Sequence, residues 1–172
     1  MLWEPLTISA VAREITATTV YRLAPPWADF TNVNSKVFSP GDQILLKRGD
    51  VWNQLFQPAG GNGTEENPII ISSYGVGSRP VIEGASTYSN TLVINNGSWW
   101  TLRGLEFRGA KMGPQFLYTT LQNEGIVIED NYIHDLVGGP VATALHVRCD
   151  SYDVIPEDTD DAWIAKKRID PE

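Results

Sequence analysis

Trp100-Thr101-Leu102-Arg103-Gly104-Leu105-Glu106-Phe107-Arg108-Gly109 and Ile126-Val127-Ile128-Glu129-Asp130-Asn131-Tyr132-Ile133-His134-Asp135 share one apolar pattern at an offset of 26 residues. Leu102 aligns with Ile128, Leu105 with Asn131 and Phe107 with Ile133, while the positions between them are mostly charged or polar. Alternation of this kind reads as strands with one buried side. A repeat of this period built from strands reads as a solenoid.

Neighbouring segments extend the repeat. Thr91-Leu92-Val93-Ile94 precedes the first copy, Phe116-Leu117-Tyr118-Thr119 precedes the second and Ala144-Leu145-His146-Val147 follows, at offsets near 25 and 27. Each coil is therefore expected to hold at least two short strands. The turns fall at Asn95-Asn96-Gly97, Gly109 to Gly113, Asn123-Glu124-Gly125 and Gly138-Gly139-Pro140, all rich in turn formers. Val, Ile, Thr, Trp and Tyr dominate, which argues against helical repeats of similar length.

Composition agrees. A chain of 172 residues can bury a sizeable core, and 15 Gly with 11 Pro suits short strands and many turns. A net charge of −8 argues against a general nucleic-acid or anionic-membrane partner. It leaves room for an anionic sugar polymer held by a local basic cleft or a bridging cation. Cys149 is the one cysteine, so neither an intrachain disulfide nor a cysteine zinc site is expected. No stretch approaches the about 18 apolar residues of a membrane span. The N-terminus, Met1-Leu2-Trp3-Glu4-Pro5, has no basic segment followed by an apolar one.

Pro40-Gly41-Asp42, Gly49-Asp50-Val51-Trp52, Gly63-Thr64, Asn67-Pro68-Ile69, Tyr74-Gly75 and Pro80-Val81-Ile82-Glu83-Gly84 follow one another in an order that resembles the opening coils of right-handed parallel β-helix proteins. That group includes polysaccharide lyases of the pectate lyase and chondroitinase B type and related glycoside hydrolases. The resemblance runs from Trp27 to Leu136. With the repeat it implies an all-β chain, a single-stranded right-handed parallel β-helix (β-solenoid) of about four to five coils with terminal caps. Residues 1–39 are expected to be the N-terminal cap, residues 40–155 the coils, and residues 156–172 a C-terminal cap or the cut end of a longer chain, all one domain.

Alternation sends Leu102, Phe107, Ile128 and Ile133 inward. Their neighbours face out, with Arg103 beside Glu129, Glu106 beside Tyr132 and Arg108 beside His134 on a single outer side. An exposed Arg103–Glu129 pair is worth about 0 to 1 kcal/mol. His134 and Asp135, as strand neighbours, are expected on opposite sides, so that they form no relay. Asn131 is expected at a bend, its amide satisfying buried backbone. Gly60-Gly61-Asn62-Gly63-Thr64 lacks the Lys-Ser/Thr step of a phosphate loop and reads as an inter-strand turn.

The resemblance implies a carbohydrate-active protein acting on an extracellular polysaccharide, as a polysaccharide lyase or glycoside hydrolase, in an extracellular or periplasmic setting. Arg108, Lys111 and His134 are then the candidates for charge neutralisation and acid/base work, since elimination from a uronate needs a neutralised carboxylate and a base. Hydrolysis would draw instead on a carboxylate pair from Glu83, Glu106, Glu129 and Asp130. Arg103, Trp99, Trp100 and Tyr132 are the candidate substrate contacts, with one tryptophan of the adjacent pair expected inside and the other exposed. Calcium is the cofactor the resemblance suggests. Glu129 and Asp130 are its candidate ligands, with the acidic stretch from Glu157 to Asp161 second. The alternative is a non-catalytic carbohydrate-binding or structural β-helix module of adhesin or tail-spike type.

Overall fold

Ile44, Ile71, Leu102 and Ile128 face one another along four consecutive parallel strands. The first three are almost completely inaccessible. The computed structural model that places them describes residues 18–24, 30–84, 90–119, 123–137 and 144–149. It is nearly all β, a parallel β-solenoid of about four coils.

Three ladders form its faces. The first face stacks β1 (Val20–Leu23), β3 (Gln43–Lys47), β6 (Ile69–Tyr74), β9 (Trp100–Arg103) and β12 (Val127–Glu129). The second stacks β4 (Val51–Trp52), β7 (Val81–Glu83), β10 (Glu106–Arg108) and β13 (Tyr132–Ile133), with Trp52, Ile82, Phe107 and Ile133 as its inward row. The third stacks β8 (Val93–Asn95), β11 (Gln115–Tyr118) and β14 (His146–Cys149). Burying each large aliphatic or aromatic side chain in these rows contributes about 1.5 to 3 kcal/mol. Among the described residues the stack begins with β1, inside the stretch expected to be the N-terminal cap or entry segment. Residues 156–172 lie outside the described residues.

The short helix α1 (Phe30–Asn34) fills the early coils from the side. Phe30 stacks on Trp52 with centroids 6.0 Å apart and meets Phe56 at 4.7 Å. Among the described residues no helix is long and apolar enough to cross a membrane.

Strands run from 2 to 6 residues, and coil lengths vary as well. The spacing of 26 holds from β9 to β12 (Leu102 to Ile128) and from β10 to β13 (Phe107 to Ile133). On the third face Val93 pairs with Gln115, 22 residues on, and Gln115 with His146, 31 residues on. These replace the expected offsets near 25 and 27. Parallel pairing constrains the strands, whereas the loops between faces can lengthen at little cost.

Two expectations about the glycines and turns need correction. Gly60–Gly61 is a strand, β5, paired in parallel with β2 (Val37–Phe38). A Cβ on Gly61 would lie 2.3 Å from the Phe38 carbonyl oxygen, so only glycine lets the chains approach this closely. The stretch 100–109 is not one flat strand with a single outer side. Gly104, at φ 71, and Asp130, at φ 49, turn the chain between the first and second faces, and the Gly104 N–H donates to the Asp130 carbonyl at 3.2 Å. Arg103 and Glu129 therefore face outward on one side of the solenoid, and Glu106, Arg108, Tyr132 and His134 on another.

Candidate functional site

The outward rows of the second face bring together a network that alternation alone does not reveal. Glu106 and Arg108 leave β10 on the same side, two residues apart, and the Arg108 guanidinium lies between two carboxylates. It donates from Nη1 to Glu106 at 3.3 Å and from Nη2 to Glu83, one strand away, at 3.2 Å. His134 follows β13 and reaches back over β10, its Nε2 3.1 Å from the same Glu106 oxygen. Its ring also stacks on Tyr132, with centroids 4.1 Å apart and planes 20° from parallel. Tyr132 is 53% exposed.

His134 and Asp135 do meet, against expectation. The His134 Nδ1 lies 2.9 Å from Asp135 Oδ2. Asp135 has a φ of 48, and a left-handed residue breaks the strict alternation that would send adjacent side chains apart. Burial alone lowers the His134 pKa, but hydrogen bonds to Glu106 and Asp135 and the charges of those two carboxylates outweigh it. The ring therefore keeps its proton above the ordinary value of 6.5. An imidazolium with both N–H groups on carboxylates is the state this geometry stabilises.

The other candidate residues are dispersed. Trp100 is in the core, 1% exposed, and its Nε1 donates to the Gly61 carbonyl at 2.9 Å, which leaves no ring surface for a sugar. Trp99 is the partly exposed member of the pair. It lies at the corner between the third and first faces, with a φ of 57, and its ring covers Gly125, where a Cβ would come within 2.2 Å of it. Arg103 and Glu129 sit on the first face 3.9 Å apart, both about half exposed, as a solvated pair. Lys111 is exposed at the turn after β10.

The pair proposed for calcium does not fit it. Glu129 faces Arg103, and Asp130, at the corner, is bonded to Arg79, so each carboxylate already has a cation. Among the described residues no group of three or more His, Cys, Asp or Glu side chains could hold a metal ion. The acidic stretch from Glu157 to Asp161 lies outside the described residues.

Glu106 and Asp135 as partners of His134, Glu83 as a partner of Arg108, and Arg79 as the partner of Asp130 are what sequence reasoning missed. The repeat contained a signal for Asp135. It aligns with Gly109, and Asp130 aligns with Gly104, at positions where glycine has positive φ in one coil. An aspartate aligned with such a glycine takes the same left-handed turn.

A cavity of about 360 Å³ lies beside α1, lined by Phe30, Thr31, Asn34, Gln54, Leu55 and Gln57. It shares no residue with the His134 network and has no charged lining side chain. Two of its amides hold backbone: Gln54 accepts from the Phe30 N–H at 2.8 Å, while Asn34 donates to the Leu55 carbonyl at 3.0 Å and accepts from the Gln57 N–H at 2.8 Å. These bonds fasten α1 to the coils, and acid/base chemistry has no groups there.

No family model and no curated protein matches the chain. Among solved structures it is similar to the GH136 lacto-N-biosidase from Eubacterium ramulus. The native protein is 24% identical, with 63% of this chain and 23% of that chain covered and a TM-score of 0.57. The selenomethionine derivative of the same enzyme is 23% identical over 69% of this chain and 27% of that one, with a TM-score of 0.58. An alginate lyase from Paenibacillus sp. str. FPU-7 is 21% identical over 77% of this chain and 44% of that one, and its TM-score of 0.47 is too low to bear on the fold. The chain thus spans about a quarter of the length of the lacto-N-biosidase. At these identities what the two share is the β-helix fold.

Proposed function

We propose that this chain belongs to a carbohydrate-active β-helix protein and that the outward second face, around Tyr132 and His134, is where a glycan lies. The observation behind this reading is the exposed Tyr132 ring, backed by His134 and bordered by Glu106, Arg108 and Asp135. A sugar is recognised by an aromatic surface under its C–H groups and by planar polar side chains around its hydroxyls. Likeness to the lacto-N-biosidase supports the fold on which such a face is built. In the catalytic version His134 acts as the acid, with Glu106 and Asp135 setting its orientation and proton affinity. The glycan is expected outside the cytoplasm, and we place the protein there on that ground.

A second reading, a glycan-binding or structural module without turnover, is favoured by one feature. Arg108 occupies the space between Glu83 and Glu106, where the scissile bond of a carboxylate-pair hydrolase would have to sit. Incubation with a panel of neutral and uronate polysaccharides separates the two. New reducing ends, or absorbance from unsaturated uronates, that His134→Gln abolishes support the enzyme. Retention on insoluble glycan without turnover supports the module, and no retention and no turnover on any glycan would sink both.

A further inference from the structure

The charge balance of the second face points to one class of glycan. Glu83, Glu106 and Asp135 place three carboxylates around two cations, Arg108 and His134, so the cluster is net negative even with His134 protonated. At the first face and its corner, Arg103 is paired with Glu129 and Arg79 with Asp130, while Arg48, beside Gly104, donates to the Gly77 carbonyl. Lys111 lies beyond the face, at the turn after β10. A uronate would have to take Arg108 from Glu83 and Glu106, leaving two carboxylates facing each other without their shared counter-ion. A neutral sugar needs no such exchange. Its hydroxyls can donate to Glu106 and Asp135, and they can accept from the N–H groups of Arg108 that its two carboxylate bonds leave over.

We infer that the second face takes an uncharged glycan, with the C–H side of a hexose on the exposed Tyr132 ring and its hydroxyls shared among Glu106, Asp135 and Arg108. This rests on reading that face as the glycan contact. It makes uronate elimination the wrong chemistry for this site and leaves hydrolysis or simple binding.

The test is calorimetric titration of the chain, at matched salt, with highly methyl-esterified homogalacturonan and with the same polymer after de-esterification, alongside β-mannan and galactan. The two pectins differ in charge while sharing a backbone. At least one uncharged polymer binds, and the de-esterified chain binds about tenfold more weakly than the esterified one or not at all. Tyr132→Leu, which keeps an apolar strand residue without the ring, weakens the binding about tenfold, and Tyr132→Phe retains it. Circular dichroism confirms that both variants are folded. Equal or tighter binding of the de-esterified polymer that Tyr132→Leu weakens overturns the uncharged class while leaving the face in place. Binding to none of the polymers, or binding that Tyr132→Leu leaves unchanged, overturns the face as well.

Discussion

Asn131 occupies the bend between β12 and β13, and its amide supplies two bonds between coils. The Leu105 N–H donates to its Oδ1 at 3.1 Å, and its Nδ2 donates to the Leu102 carbonyl at 2.7 Å. Asn131→Ala leaves a partly buried donor and acceptor unpaired, so urea unfolding is expected to show a loss of about 2 kcal/mol. Tyr118 is the opposite case. Burial pushes its pKa up to about 12, and its hydroxyl is buried without a hydrogen-bond partner among the described residues. Tyr118→Phe removes that unmet group, and is expected to be neutral or stabilising by about 1 kcal/mol in the same assay. His134 gives the residue scale its pH dependence. Its pKa is raised on folding, so its contribution to stability is complete below 6.5, while Glu106 and Asp135 remain ionised, and is lost as pH rises through the raised value. Histidine proton shifts followed by NMR should titrate above 6.5, and His134→Gln should flatten the fall in stability between neutral and alkaline pH.

At the scale of elements, close approach and left-handed corners decide the geometry. Gly61→Ala would place a Cβ against the backbone of Phe38 at a residue with φ 127. It is expected to separate β5 from β2 at a cost of about 2 kcal/mol or more, read as a lowered unfolding midpoint. How far the sequence shows these elements depends on what holds them. β3 and β6 are legible because apolar alternation is enforced by burial, and the 26-residue repeat aligns β9 with β12 and β10 with β13 in their true register. Asn131 at its bend is legible too, since a polar residue in an apolar column needs backbone partners. The corners were harder to see. Asp130 and Asp135 adopt positive φ without being glycine, so alternation ran past them, placing the first and second faces on one side and separating His134 from a carboxylate it touches. The neighbouring tryptophans show a similar limit. Alternation requires one inside and one outside, but the choice of Trp100 for the core depends on the distant Gly61 carbonyl and Phe38 ring.

Over the whole molecule, stacking turns a two-residue alternation into continuous rows, and those rows give each face its own character. The first face presents a solvated Arg103–Glu129 pair. The second concentrates Glu83, Glu106, Arg108, Tyr132 and His134 into one bonded network. The cavity beside α1 is lined by neutral side chains, of which Gln54 and Asn34 are tied to backbone. Among the described residues the second face joins an exposed aromatic ring to a bonded network of charged side chains, and so the functional reading belongs there. The most direct measurement is NMR mapping of the chain titrated with whichever uncharged polysaccharide it retains. Perturbed signals are expected to centre on Tyr132, His134, Glu106 and Arg108, with the cavity beside α1 and the Arg103–Glu129 pair unchanged. Perturbations confined to Thr31, Gln54 and Gln57, or to the first face, would contradict a glycan site on the second face.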